Sequence, residues 1–236
     1  VDAIIGFHNK PELSVGTIGV KEGPLMAAVG QFKAEITGVG THAAAPHNGN
    51  DPILTACQVI ANAQAIVARH TSPLEPVVLS VSHIEAGNTW NVIPEKVFFE
   101  GTIRTFEPKV REDVIARFEK VVQATADQFG AQVDITWGNS PYVTYNDQTL
   151  TPLIFENSKA FAEVIETLPS TGGEDFAAYQ KEIPGVFAFV GSNGEENAPD
   201  WHHDDFLVKD EALPVAVNYY VENALFLLDY FKEQEK

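Results

Sequence analysis

Histidine is the residue type in this sequence best suited to bind a metal ion or to transfer a proton near neutral pH. Seven histidines are present. His8 follows the apolar residues 3–5 at the end of a predicted strand, a common position for ligands in α/β enzymes. His202 lies beside Trp201 in an acidic loop, where carboxylates could orient a ligating imidazole. A solvated or hydrogen-bonded histidine is the alternative at each position, and no short metal-binding spacing decides between them.

Small residues surround two other polar segments. His42 follows the glycine-containing segment 38–41, which would let a substrate approach its imidazole closely. The alternative is an ordinary strand-to-helix loop that happens to contain a histidine. Gly172 and Gly173 form a tight turn in front of Glu174, an acid that could simply complement a helix N-terminus. The local sequence leaves both alternatives open for His42 and favours the structural alternative for the turn before Glu174.

Asn91 lies in the connection between two predicted strands, and Arg104 lies in the second of these strands. Asparagine is a common turn residue, so Asn91 has a structural explanation. Arg104 shares a strand face with Phe98 and Thr102. Its guanidinium could remain an exposed charge or bind a carboxylate through two parallel hydrogen bonds. Both residues are candidates for substrate binding, with these structural alternatives.

The elements that must position these residues follow from hydrophobic periodicity and helix-capping signals. The segment 31–138 predicts a strand, a helix, two strands, a helix and a strand. The predicted bounds are 31–38, 53–69, 77–84, 95–106, 108–129 and 132–137. Asp51 and Pro52 supply an N-cap and a first helical residue for the first helix. Its apolar face is predicted to run through Ile53, Cys57, Ile60, Gln64 and Val67. The β-α-β-β-α-β order predicts a ferredoxin-like sandwich, with two helices on one face of a four-stranded sheet.

The remaining residues predict a second domain that this sandwich interrupts. Residues 1–25 and 142–236 are interpreted as its two pieces, and residues 26–141 as the insertion. A helix near 151–162, a strand at 186–191 and a helix from 211 to about 231 are predicted in the later piece. The predicted class is α/β (α+β). Because Val1 is not Met and the start looks like the middle of a strand, the sequence is interpreted as a fragment or a processed chain.

Composition excludes several classes of protein. The chain has 236 residues, of which 44% are hydrophobic and 20% charged, as expected of a globular protein. Lys and Arg number 15 against 33 Asp and Glu, so the net charge of −18 disfavours nucleic acid and anionic membranes as partners. Cys57 is the single cysteine and cannot form an internal disulfide. No apolar run approaches the roughly 18 residues of a membrane span. We therefore expect a cytoplasmic protein.

A series of motifs, taken in order, resembles one family of binuclear metal-dependent amidohydrolases and peptidases. That family includes aminoacylases, hippurate hydrolase, indole-acetyl-amino-acid hydrolases and carboxypeptidase G. The nearest branch is that of the bacterial N-acyl-amino-acid amidohydrolases, which includes N-acetyldiaminopimelate deacetylase. The matching segments are 2–11, 40–52, 91–94, 101–106, 173–176 and 201–203. Together they span essentially the whole chain.

The resemblance implies a role for each candidate residue. The complete enzyme would hold two divalent ions, with zinc, manganese, cobalt and nickel all compatible with its donors. The inserted domain would be a lid through which a homodimer forms. The implied metal ligands are His8 and His202. The implied catalytic residue is His42, which would polarise the scissile carbonyl in the partner subunit's site. The implied substrate-binding residues are Asn91, Arg104, Gly172 and Gly173.

The activity implied is hydrolysis of the amide bond of N-acyl amino acids, which releases a carboxylate and a free amino acid. The family's other metal ligands and its catalytic Glu-Glu pair lie upstream of the matching segments. A chain beginning at Val1 would therefore hold two of about five ligands and no general base. Two alternatives remain open, a non-catalytic dimerisation module and a dipeptidase or carboxypeptidase of the same family. Arg104 does not discriminate between substrates, because both would present a carboxylate.

Overall fold

A computed structural model describes residues 1–139 and 141–234. The chain divides into two compact units. The outer unit comprises Val1–Ala27 and Val143–Lys236, and the inserted unit comprises Ala28–Tyr142. Among the described residues, no helix is long and apolar enough to cross a membrane.

The secondary-structure elements are numbered in chain order. The strands are β1 (Ile4–Ser14), β2 (Thr17–Val20), β3 (Gly23–Met26), β4 (Ala28–Thr37), β5 (Thr41–His42), β6 (Val77–Ala86), β7 (Val92–Ile93), β8 (Lys96–Thr105), β9 (Gln132–Trp137), β10 (Thr144–Asn146), β11 (Glu163–Glu166) and β12 (Gly185–Asn193). The α-helices are α1 (Pro52–Ala65), α2 (Pro108–Gln128), α3 (Leu150–Ser158), α4 (Ala177–Gln180) and α5 (Ala212–Gln234). A 3-10 turn spans Pro46–Asn48, and a π-helical segment spans Ile66–His70.

The inserted unit has the predicted ferredoxin-like fold. Its four-stranded sheet has the order β6-β8-β4-β9, and every neighbouring pair is antiparallel. Alternate residues of β4 are buried, which places Phe32 in a core under α1 and α2. The Phe32 ring lies 4.5 Å from that of Phe118 in α2 and 6.4 Å from that of Phe99 in β8. The sequence prediction of this fold is confirmed.

Helix α1 begins as predicted but buries a different face. The Asp51 carboxylate accepts hydrogen bonds from the backbone N–H groups of Ile53 and Leu54, which confirms the cap. The buried residues are Pro52, Thr55, Ala56, Val59 and Ala63, whereas Ile53, Cys57 and Gln64 of the predicted face are exposed. The prediction of the face was wrong at these three residues, whereas Ile60 and Val67 of the predicted face are half-buried and pack against the core. The α-helix also ends before the predicted residue 69, in the π-helical segment.

The outer unit combines strands from both of its pieces. Its four-stranded sheet has the order β1-β12-β2-β11, with β1 parallel to β12. All residues of β12 are buried. Val186 and Ala188 contact a core with α3 and α5, and Phe187 and Phe189 contact a second core on the opposite face. Strand β1, which carries His8, therefore pairs with a strand that is buried on both faces.

Candidate active site

His8 lies on β1 of the outer unit, opposite Phe189 of β12, and is half-buried. Its Nδ1 lies 2.8 Å from the backbone oxygen of Asn9. A carbonyl oxygen only accepts hydrogen bonds, so Nδ1 carries the proton and Nε2 keeps its lone pair. Metal-bound histidines have this arrangement, in which the nitrogen away from the ion donates to a carbonyl or carboxylate. The donor chemistry of His8 therefore fits a metal ligand.

Trp201 connects His8 to two other candidate segments of the outer unit. Its ring centroid lies 4.9 Å from that of His8, and its indole N–H donates to the Asn9 oxygen at 2.9 Å. A Cβ atom added to Gly172 would lie 3.9 Å from the Trp201 ring. His202 is the next residue in the chain. The structure therefore gathers His8, Gly172 and the loop of His202 around one indole ring.

Glu174 is a neighbour of His8 in the outer unit. Its sequence context favours a simpler role, that of an acid at a helix N-terminus. Burial raises the pKa of its carboxyl group, and a hydrogen bond with Asp175 acts in the same direction. The nearby His8 opposes this rise. The following helix, α4, begins only at Ala177, so Glu174 does not serve as its first-turn acid. No local sequence pattern links Glu174 to His8, because the two are brought together only by the fold.

The neighbouring residues His202 and His203 have different environments. His202 has φ 66°, and it is the only non-glycine residue with positive φ in the described part of the chain. Its exposed side chain makes no hydrogen bond with the described residues. His203 Nδ1 instead lies 3.0 Å from a carboxylate oxygen of Asp205 and 3.7 Å from one of Asp204. Within the described residues, neither ring nitrogen of His202 is hydrogen-bonded, whereas His203 has its Nδ1 held by a carboxylate.

His42 and Asn91 lie together in the inserted unit. Strand β5 pairs with β7 so that His42 is opposite Val92, and the Ala43 N–H donates to the Asn91 backbone oxygen at 3.0 Å. The Ala44 N–H donates to His42 Nδ1 at 3.0 Å. A backbone N–H only donates, so neutral His42 carries its proton on Nε2, the opposite tautomer to His8. This exposed N–H is suited to donate to a carbonyl oxygen.

Arg104 occupies a polar groove of about 480 Å³ on the same unit. It is half-buried, and its guanidinium has no ion pair or hydrogen bond with the described residues. Burial lowers the pKa of this group. The Thr102 hydroxyl, which lines the same groove, is buried and has no hydrogen-bond partner within the described residues. A bound carboxylate would offset the cost of burying the Arg104 charge.

The strand register separates Arg104 from His42 and Asn91. The N–H of Gly38, which precedes β5, donates to the Glu95 oxygen, so β5 and β7 lie at the Lys96 end of β8. Arg104 lies eight residues further along β8, about 26 Å away at 3.3 Å per residue. In one chain, Arg104 and the pair of His42 and Asn91 therefore cannot contact the same small molecule.

The sequence matches a known protein family and is similar to several bacterial enzymes. Residues 28–129 match the peptidase dimerisation domain family of M20. The chain is 46% identical to an N-acetyl-L-cysteine deacetylase of Bacillus subtilis, over 100% of this chain and 56% of that protein. It is 34% identical to an N-acetyldiaminopimelate deacetylase of Priestia megaterium, over 92% of this chain and 58% of that protein.

A solved structure supports the same relationship. A dinuclear metal-binding peptidase of the M20 family from Bacillus subtilis superposes with a TM-score of 0.80 at 39% identity. The match covers 97% of this chain and 58% of that one. The chain thus spans less than two thirds of the length of the curated relatives that it matches.

Proposed function

This chain belongs to the M20 peptidase family in sequence and in fold, and we propose that the protein carrying it is a metal-dependent amidohydrolase of N-acyl amino acids. Its products are a carboxylate and a free amino acid. The opposite tautomers of two histidines carry this proposal. His8 keeps a lone pair on Nε2 for a metal ion, and His42 keeps a proton on Nε2 for a carbonyl oxygen. The deacetylases among its relatives favour an N-acetyl group as the acyl part.

In this proposal the outer unit holds the metal. His8 and His202 are the proposed ligands, and their imidazoles are compatible with zinc, manganese, cobalt or nickel. A pair of divalent ions, when bound, lowers the pKa of a coordinated water and supplies hydroxide near neutral pH. Glu174 places a carboxyl group beside His8. Gly172 and Gly173 are the proposed substrate-binding glycines, and Gly172 lies beside the Trp201 ring.

The inserted unit binds and polarises the substrate in this proposal. Arg104 takes the carboxylate of the amino acid in its polar groove, and Asn91, whose backbone oxygen binds the residue after His42, is a second substrate-binding residue. The Nε2–H of His42 donates to the scissile carbonyl oxygen, where negative charge develops during attack. Because Arg104 lies about 26 Å along β8 from the end of the strand at which the other two lie, a substrate that contacts all three must take them from two protomers.

We propose that the protomers pair through the β6 edge of the inserted unit. Strand β6 is at one end of the sheet, and its residues from Ser82 to Ala86 are exposed. Ile84 is 49% exposed, and Ile53 and Leu54 at the start of α1 are 37% and 50% exposed. An unpaired edge strand beside exposed apolar residues is suited to a two-fold, self-complementary contact. The match to a dimerisation domain supports this assignment.

A cytoplasmic location is part of the same proposal. Cys57 is exposed and unpaired. Free surface thiols are characteristic of reducing compartments.

Hydrolysis of N-acetyl amino acids tests the proposed function. We expect cleavage that a chelator abolishes and a divalent metal restores. The matching substrate with a carboxamide in place of its carboxylate should have a kcat/KM lower by about 10–100-fold, because a charged hydrogen bond is worth about 1.5–3 kcal/mol. The measurement is initial rate against concentration for both substrates.

The variant Arg104→Met tests the same contact with the carboxylate by changing the protein instead of the substrate. It should lower kcat/KM for the acid to nearly the value for the carboxamide and leave the carboxamide almost unaffected. Arg69→Met is the matched control, because Arg69 is exposed and lies in the π-helical segment. Equal cleavage of acid and carboxamide by the unaltered protein would refute the role of Arg104, and chelator-resistant cleavage would refute the proposed chemistry.

A further inference from the structure

We propose that Trp201 is a positioning residue, which holds the His8 ring in the Nδ1–H tautomer and ties it to the loop that carries His202. The purpose assigned to this tautomer, metal ligation through Nε2, rests on the proposed function. The tautomer itself does not, because it follows from hydrogen bonds between residues of this chain.

The central group is the backbone oxygen of Asn9, which two ring N–H groups share. His8 Nδ1 lies 2.8 Å from it, and Trp201 Nε1 lies 2.9 Å from it. A carbonyl oxygen has two lone pairs and accepts both bonds. The Asn9 side-chain oxygen, at 3.3 Å, is a second acceptor for the indole. The carbonyl oxygen thus accepts two hydrogen bonds. Its position determines that Nδ1 is the His8 nitrogen that keeps the proton.

The Trp201 ring also limits the rotation of His8. The two rings meet edge to face, with an interplanar angle of 66° and centroids 4.9 Å apart. Trp201 also packs against a core that includes Phe189, whose ring centroid lies 6.1 Å away. The Lys10 ammonium lies 5.1 Å from the indole and 4.7 Å from the Phe189 ring. A fixed indole therefore forms one wall of the space available to His8.

The same residue restricts the position of His202. Consecutive Cα atoms are about 3.8 Å apart, so an anchored Trp201 leaves His202 little freedom of translation. The backbone N–H of Trp201 also donates to the Asp200 carboxylate at 2.7 Å. The chain turns at once through the left-handed conformation of His202, with φ 66°. Such a conformation is strained in a non-glycine residue and persists where its surroundings enforce it. Trp201 is the adjacent residue that supplies this restraint.

The variant Trp201→Phe separates packing from hydrogen bonding, because it keeps an aromatic ring and removes the indole N–H. In the metal-free protein labelled with 15N-histidine, the unaltered chain should show His8 with a protonated Nδ1. Trp201→Phe should shift the His8 resonances toward a mixture of the two tautomers while the circular dichroism stays native. The signal is assigned by its loss in His8→Gln. Trp90→Phe is the control, since Trp90 is 91% exposed and should leave the spectrum unchanged.

Zinc affinity gives a second readout. Measured by competition with a chromophoric chelator, Trp201→Phe should bind Zn²⁺ about 10–100-fold more weakly, the usual effect of losing an outer hydrogen-bond partner. Trp90→Phe should bind it normally.

Three outcomes distinguish this inference from the proposed function. Protonated Nε2 on His8 in the unaltered protein overturns the inference without any variant. An unchanged tautomer and unchanged Zn²⁺ affinity in folded Trp201→Phe also overturn it, while the proposed function stands. A shifted tautomer in a protein that never binds metal supports the positioning role and defeats the proposed function.

Discussion

Replacing His8 with alanine is expected to remove metal from the outer unit and to lower kcat/KM by at least about 10³-fold. A bound metal supplies several kcal/mol of stabilisation to the reaction, and each 1.36 kcal/mol is a factor of ten in rate. His8 has one nitrogen engaged with the Asn9 carbonyl and one nitrogen free, so alanine removes a prepared ligand. Metal content by mass spectrometry should fall in parallel with the rate.

The control for this variant is His70→Ala. His70 is an exposed histidine at the end of the π-helical segment, and its replacement should change neither the metal content nor the rate. Retention of both metal and activity in His8→Ala would contradict the assignment of His8. Retention of metal with loss of activity would make His8 a catalytic group of another kind.

Replacing His42 with alanine should lower kcat by about 10²–10³-fold, the usual cost of removing one donor to a developing oxyanion. The reason is the Ala44 N–H, which occupies Nδ1 and leaves Nε2–H as the donor. KM and metal content should change little, because the ground-state carbonyl is a weaker acceptor than the oxyanion.

Two further variants sharpen the test at this position. His42→Gln places an amide N–H near the lost donor and should restore part of kcat. His47→Ala removes another exposed histidine of the same loop and should behave as the unaltered protein. An unchanged kcat in His42→Ala would exclude the proposed role, whatever the effect on KM.

The fold of the inserted unit is predictable from sequence because its signals are local. These signals are the alternation in β4, the Asp51 cap of α1 and the end of α2 before Gly130, which has φ 66°. Each of them acts over a few residues. The face of α1 is not local in this way. Ala56 and Ala63 are buried against the sheet together with Val59, while Ile53 stays exposed. Only the packing partner reveals which face is used.

The outer unit was harder to predict for a different reason. Strands β2 and β11 have four residues each and pair in parallel with each other, although the inserted unit separates them in sequence. Short strands with a distant partner have little periodicity of their own.

The candidate site shows the same division. The positions of His8, His42 and Arg104 could be proposed from motifs. The tautomers of the two histidines depend on backbone atoms placed by the fold, namely the Asn9 oxygen and the Ala44 N–H. The proximity of Glu174 to His8 likewise depends on the fold, since no periodic pattern connects distant segments.

We propose that His42 of one protomer acts at the metal site of the other, and heterodimers of two inactive variants test this arrangement. His8→Ala and His42→Ala chains with different affinity tags are co-expressed, and the heterodimer is purified through both tags. Each homodimer should be nearly inactive. The heterodimer should have about half the activity of the unaltered dimer, because the two-fold arrangement leaves one of its two sites with an intact His8 and an intact His42. A heterodimer no more active than either homodimer would contradict the account.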